Sequence, residues 1–324
     1  MAIPSDTPLP TPSGWVLASD LRPGDVLFNP RGGTQAVGSV QSYIPTECYR
    51  VHMSDGTSIV GDRHAGMMLQ DQRWRERQQS WFNNQGNKFA QKRFRRPLKR
   101  QTFLDLYKGP LLDARGRKNW SLQAVSPLQY PQVDLPVPPY VVGLWLATVT
   151  PTNRHWLLNR DYNQMQRRVR EVGFSLARKK KGKWMFSFRP GVRESFIHSG
   201  APVPDVIPQS YLESDVDSRQ ALLDGLFDAK SIKKAESSRD GLVIHDNWRS
   251  IRRKQQLLEG LGYVTRLLQN GKNTFFSLYF TKMYDNVAKC RRFVTKVEKI
   301  VPKQCVHIAT DGEFVAGEGF LGIC

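Results

Sequence analysis

Two stretches constrain this chain most: 141–150 (VVGLWLATVT) and its echo at 221–232 (ALLDGLFDAKSI). Each is a short apolar run with a central glycine, Gly143 in the first and Gly225 in the second. A glycine inside a helix costs about 1 kcal/mol relative to alanine, so it calls for a packing reason. The simplest is close helix–helix approach, where the missing Cβ lets two backbones touch. Two such runs predict a pair of helices packed against each other about a pseudo-twofold axis.

The segments downstream of the two runs are duplicated as well. After the first come a polar helical stretch (Asn159–Val172), Gly173-Phe174, and two strands joined by a basic turn, ending at Arg189. After the second come another helical stretch (Asn247–Leu261), Gly262-Tyr263, and a hairpin turning at Asn270-Gly271-Lys272-Asn273 into Phe275–Phe280. Glycine-containing turns between alternating apolar runs are hairpin signals. The same order of elements twice in one chain is an internal repeat of one α/β unit.

These paired runs resemble the two motifs of LAGLIDADG homing endonucleases, particularly the two-motif kind found inside inteins. The resemblance implies two motif helices at a pseudo-dyad, with an acidic residue near the end of each holding divalent metal over the scissile phosphates. On that alignment Thr148 stands at the first acidic position and Lys230 at the second, while Asp228 matches an earlier, packing-side aspartate. Mg²⁺ needs hard anionic oxygen ligands. Threonine is neutral, and lysine brings a cation that suits a phosphate directly. Both nuclease centres are therefore expected to be degenerate, with no metal and no cofactor. A register shift that brings Asp228 or Asp224 into play would restore a need for Mg²⁺.

At 324 residues the chain has room for about two domains. Lys and Arg number 48 against 29 Asp and Glu, a formal net charge of +19. Such an excess implies a polyanionic partner, most often nucleic acid. Four widely spaced cysteines (Cys48, Cys290, Cys305, Cys324) show no CxxC spacing. They suggest neither a zinc site nor a disulfide framework, and so an intracellular, reducing compartment. No apolar run approaches a membrane span, and the N-terminus lacks a signal pattern.

The first 65 residues read as short strands separated by Gly, Pro and Asp turns. This block resembles the N-terminal part of an intein (Hint) domain. The opening from Ala2 to Trp15 is close to the intein opening, Leu21–Phe28 matches its L-x-x-G-D segment, and Ser54–His64 its DGT…H segment. The match is to inteins that begin with Ala and carry their nucleophilic Cys near the C-terminal end. The far end agrees, with Val301-Pro302-Lys303-Gln304-Cys305-Val306-His307 followed by Asp311–Phe320, and Cys305 at the nucleophile position.

Splicing is expected to be degenerate at Ala2, His64 and Cys305. Met1 directly precedes Ala2, leaving no upstream segment to release. The chain ends Gly322-Ile323-Cys324 where the family has His-Asn before Ser, Thr or Cys, so the Asn that would cyclise is missing. Near His64, Gly66-Met67 stand where this class expects a Trp. Ends trimmed at the junctions would look the same, so a trimmed self-splicing intein using Cys305 stays open.

The most basic stretch is 73–118, with fourteen Lys or Arg against three acids, interleaved with aromatics. Cations with aromatics suit a surface that tracks a nucleic-acid backbone and stacks on bases. Within it Arg93, Arg95, Arg96, Lys99 and Arg100 are contact candidates. In the duplicated region, family sheets form a saddle in the major groove, which implies contacts from Arg178, Lys179, Lys180, Lys181, Lys183, Arg189, Lys230 and Lys272.

The resulting expectation is an α+β chain: a β-rich Hint-like module formed by both chain ends, plus a pseudo-twofold duplicated α/β LAGLIDADG endonuclease-like domain. The boundaries are a Hint-like part at 2–72, a basic insertion at 73–125 and a Pro-rich connector at 126–139. The LAGLIDADG-like domain covers 140–295, with repeats at about 140–195 and 218–285, and a Hint-like part closes the chain at 296–324. The functional expectation is a monomer, alone or in a larger assembly, that binds double-stranded DNA or structured RNA without cleavage or splicing and without a membrane partner. An active endonuclease with unusual metal ligands is the enzymatic alternative.

Overall fold

The two ends of the chain meet in one β-sheet. Ala2–Pro4 pairs antiparallel with Cys305–Thr310, which continues to Thr34–Tyr43 and then Val26–Phe28. This computed structural model describes residues 1–73, 75–76, 98–148, 162–179, 185–229, 242–269, 275–282 and 291–324. The fold is mixed α+β and divides into two units. One comprises 1–129, 262–267 and 280–324, and the other comprises 130–261 and 268–279.

In the first unit a second four-stranded sheet runs in the order Ser121–Gln123, Arg291–Ile300, Cys48–Met53, Ser58–Asp62. Cys48–Met53 shows why these sequences make strands. Tyr49, Val51 and Met53 are buried while Arg50 and His52 between them are half-buried, the period of two that a pleated strand requires. Their side chains join Ile3, Leu27, Ile59, Phe103, Val306 and Ile308 in one apolar core. The DGT turn is held by chemistry of its own. Asp55 accepts from the Thr57 backbone N–H at 3.0 Å and its hydroxyl at 2.6 Å, and it forms an ion pair with Arg292 at 2.9 Å. Both charged side chains are 1% exposed. The basic stretch supplies a short helix, Phe103–Lys108, opened by a capping box between Thr102 and Asp105.

The second unit carries the two glycine-centred helices, Pro139–Thr148 and Val216–Ala229. A polar helix follows the first at Tyr162–Glu171, and another follows the second at Trp248–Gly260, N-capped by Asn247. The first polar helix leads to Gly173 (φ +82°), and the second is followed by Gly262 (φ +84°), in the left-handed region that glycine adopts without strain. An aromatic and a strand come next: Phe174 with Ser175–Lys179, paired to Met185–Arg189, and Tyr263 within Tyr263–Gln269. A strand, Leu242–Asn247, precedes the second polar helix where the sequence suggested none. Both expected hairpin turns lie outside the described residues. Among the described residues, no helix is long and apolar enough to cross a membrane.

Candidate functional site

The glycine-centred helices touch backbone to backbone. A Cβ on Gly143 would lie 2.2 Å from the Leu222 carbonyl oxygen and 2.9 Å from the Leu226 nitrogen. Reciprocally, a Cβ on Gly225 would lie 2.2 Å from the Tyr140 oxygen and 2.9 Å from the Leu144 nitrogen. Leu144, Leu222 and Leu226 are buried beside this seam. Buried Arg219 ties the second helix down, donating to the Ser214 and Gly260 carbonyls at 2.8 Å each beneath the Tyr130 ring. Burial lowers its guanidinium to about 10, which leaves it charged at neutral pH.

Asp224 and Asp228 sit one turn apart on the second helix, and Arg168 of the first polar helix spans both. Its guanidinium donates to Asp224 Oδ2 at 2.7 Å and to Asp228 Oδ2 at 3.0 Å, and it stacks 4.6 Å from the Tyr140 ring centre. The Tyr140 hydroxyl donates to the same Asp228 oxygen at 2.7 Å, and Gln220 donates to Asp224 Oδ1 at 2.9 Å. Burial and then that bond to Asp228 push the Tyr140 phenol up, so it remains a donor. Two carboxylates already facing a guanidinium, a phenol and an amide do not fit Mg²⁺, which demands near-octahedral oxygen coordination. Among the described residues, no group of three or more His, Cys, Asp or Glu is placed to hold a metal. Thr148 is the last residue of the first helix, and Lys230 lies outside the described residues.

In the first unit Ala2, Cys48 and Cys305 form a small, fully buried cluster flanked by Val60 and Ile300. The strand register sets Pro4 opposite Cys305 and Ala2 opposite His307. The Met1–Ala2 peptide is held at both ends: its oxygen accepts from the Ile308 N–H at 3.0 Å, and its N–H donates to Asp62 Oδ1 at 3.4 Å. Asp62, 3% exposed, also accepts from the Ala65 N–H at 2.6 Å and the Tyr43 hydroxyl at 2.8 Å. Cys48 and Cys305 bring their sulfurs within 3.9 Å. Burial, and then neighbouring Cys48, push the Cys305 thiol up to about 12, so it is a thiol and not a thiolate at neutral pH. Burial lowers His307, an effect that Asp62 partly offsets.

His64 is exposed, and its carbonyl accepts from the Arg100 guanidinium at 2.9 Å. Cys324 pairs with Gly66 through two 2.9 Å backbone bonds. Asp62 is the residue that sequence reasoning missed. The only signal was an acidic residue two positions before His64, at the end of a strand.

The basic candidates divide by where they lie. Arg93, Arg95, Arg96, Lys180, Lys181, Lys183, Lys230 and Lys272 fall outside the described residues. Arg178 and Lys179 end the strand Ser175–Lys179, and exposed Arg189 ends its partner. Lys99 pairs with Asp71 at 2.7 Å, while Arg100 donates to His64. Two further cations of the basic stretch are engaged by the chain itself. Buried Arg75 donates to the Gln70 and Asn119 carbonyls at 2.9 Å, and Arg117 pairs with Asp113 at 2.7 Å.

No family model matches the chain. It is similar to the replicative DNA helicase DnaB of Mycobacterium intracellulare, 31% identical over 150 residues, which is 46% of this chain and 26% of that protein. It is also similar to DnaB of Mycobacterium leprae, 40% identical over 62 residues, 19% of this chain and 10% of that one. The chain thus spans 26% and 10% of the length of the two curated relatives it matches. Among solved structures, it is similar to the Msm DnaB1 intein splicing domain bound with zinc, at 40% identity, a TM-score of 0.20, and coverage of 21% of this chain and 53% of that chain. The MchDnaB-1 intein is 35% identical, with a TM-score of 0.20 and coverage of 21% and 52%.

Proposed function

We propose that this chain is an intein-related protein of the LAGLIDADG homing-endonuclease type that binds nucleic acid without cleaving it and without completing protein splicing. The observation that carries the reading is Arg168 lying across Asp224 and Asp228 beside the Gly143–Gly225 contact. The two helices meet at a seam of the expected kind, and the two aspartates next to it are bridged by one arginine. The match to only 26% of a helicase is the pattern an inserted segment gives. The net charge of +19 supplies the attraction to a polyanion, and Arg189, exposed at the end of the strand Met185–Arg189, is one cation that can meet it. The target is double-stranded DNA or structured RNA, bound by a monomer whose two repeats provide the two halves of the site.

The test is binding of the purified chain to labelled duplex DNA and structured RNA across a salt series, with Mg²⁺ and with EDTA. Binding should survive EDTA and leave the nucleic acid intact with Mg²⁺. Its affinity should fall steeply with log salt, by a slope of roughly 0.9 per phosphate contact on duplex DNA. Defined ends that appear only with Mg²⁺ would establish the endonuclease alternative, and a flat salt slope would remove the nucleic-acid reading.

A second reading is favoured by the Met1–Ala2 peptide, bonded at both its oxygen and its nitrogen with Cys305 packed on Ala2. In this reading Cys305 retains acyl transfer at that peptide even though splicing is not completed. Hydroxylamine-dependent release of a carrier peptide placed ahead of Met1, abolished by Cys305→Ser, is its signature.

A further inference from the structure

We propose that Asp62 is the positioning residue for the Met1–Ala2 peptide: it holds the nitrogen in place and supplies the counter-charge for the amine that nitrogen becomes. The inference rests on the second reading above, in which Cys305 takes up the Met1 acyl group.

The geometry is specific to this carboxylate. Asp62 ends the strand Ser58–Asp62, and its register partner is Cys48, the residue whose sulfur lies 3.9 Å from that of Cys305. One fold feature therefore sets the acid, the thiol pair and Ala2 side by side. Three donors converge on the carboxylate: the Ala2 N–H and Ala65 N–H on Oδ1, and the Tyr43 hydroxyl on Oδ2. The Ala65 and Tyr43 bonds, at 2.6 and 2.8 Å, fix the carboxylate, the second of them from the strand Thr34–Tyr43 in the sheet that holds Ala2. The Ala2 contact is longer, at 3.4 Å, and is the one that a reaction at the peptide would change. His64, two residues on, is exposed and does not share this position.

The step balances without a co-reactant. The Cys305 sulfur bonds to the Met1 carbonyl carbon, the bond from that carbon to the Ala2 nitrogen breaks, and the thiol proton ends on the nitrogen. The product is a thioester and a free amine, which takes a further proton from water. An amide is more stable than a thioester, so the exchange runs forward only if the amine is drawn off as ammonium. A carboxylate within hydrogen-bonding reach favours that charged form. The Ile308 N–H on the Met1 oxygen holds the other end of the peptide still while the nitrogen departs.

The experiment uses the full chain with a carrier peptide ahead of Met1, following carrier release by hydroxylamine with mass spectrometry. Wild type should release the carrier and Cys305→Ser should not. Asp62→Asn keeps an oxygen acceptor and the side-chain shape but removes the charge. It should slow release roughly tenfold or more, the effect of one charge-assisted hydrogen bond, while the thermal midpoint holds. Asp62→Glu should restore part of the rate, which a purely structural role would not predict. Release that depends on Cys305 but proceeds at the wild-type rate in Asp62→Asn overturns the inference alone. No release from wild type overturns the Cys305 reading and this inference with it.

Discussion

Replacing Gly143 with alanine tests the helix seam directly. The new Cβ would sit 2.2 Å from the Leu222 oxygen, whereas unstrained contacts are about 3.5 Å, so the helices must part locally by roughly 1.3 Å. Neither blocking atom can swing away, because the Leu222 oxygen and Leu226 nitrogen both belong to the backbone of the partner helix. A gap of that size forfeits about half of each dispersion contact across the seam, where Leu144, Leu222 and Leu226 are buried. Overpacking of this kind costs about 3 kcal/mol, toward the upper end of its usual range. Alanine's better helix propensity returns about 1 kcal/mol. The net loss is about 2 kcal/mol. Two units need not unfold together, so the measurement is local: amide hydrogen exchange, by mass spectrometry, of peptides spanning residues 140–148 and 216–229. Exchange there should quicken roughly thirtyfold, the factor corresponding to that loss. The paired variant Gly143→Ala/Gly225→Ala should cost less than the sum of its parts, since both side chains press on one seam. Slower exchange in Gly143→Ala, the result that propensity alone predicts, would refute the backbone contact.

Three further outcomes concern the first unit. Asp55→Ala removes the buried carboxylate that pairs with Arg292, leaving the guanidinium its bond to the Gly319 carbonyl but no counter-charge from Asp55, and removes the Thr57 bonds; it should destabilise the unit by about 3 kcal/mol in urea unfolding. The Cys305 thiol is raised from 9.0 to about 12, so its contribution is complete below pH 9 and is lost as pH rises toward 12, because the unfolded thiol ionises first. Thermal midpoints measured above pH 9 should therefore fall more in wild type than in Cys305→Ser. Asp113 is held near 2 by its bonds to Arg117, so its contribution is present above the ordinary 3.8 and disappears as pH falls toward 2. A shallower acid limb in the thermal midpoints of Asp113→Asn would confirm it.

The helix pair was legible in the sequence because its cause is local. A glycine at the centre of an apolar run has few explanations, and Gly143 and Gly225 meet as that reasoning required. The polar helices were legible for the same reason: Asn247 caps one, and Gly173 and Gly262 mark where the helices give way to strands. The strand Leu242–Asn247 was not, since three apolar residues followed by three polar ones show no alternation, and the stretch before it has no apolar period. The charge of the basic stretch was visible but its use was not. Counting cations cannot show that Arg75 serves the carbonyls of residues 70 and 119.

The chemistry at both candidate sites depends on partners that the chain brings together from far apart. Arg168 reaches Asp228 across 60 residues of sequence, and Ala2 reaches Asp62 across another 60. Cys48 and Cys305 are 257 residues apart. A motif reports only the positions where a family keeps its reacting groups. It says nothing of which neighbour satisfies a carboxylate once those groups have changed. That is why Thr148 and Lys230 could be read as departures from a metal site, while the arginine that answers Asp224 and Asp228 could not be read at all. The same holds in the first unit. His64 and Cys305 were expected from the resemblance to inteins, but the acid that meets the Ala2 nitrogen is set by the pairing of Asp62 with Cys48. In both places the partner of the candidate group comes from strand register or helix packing, so substituting that partner, Arg168 or Asp62, is the test of the proposed chemistry.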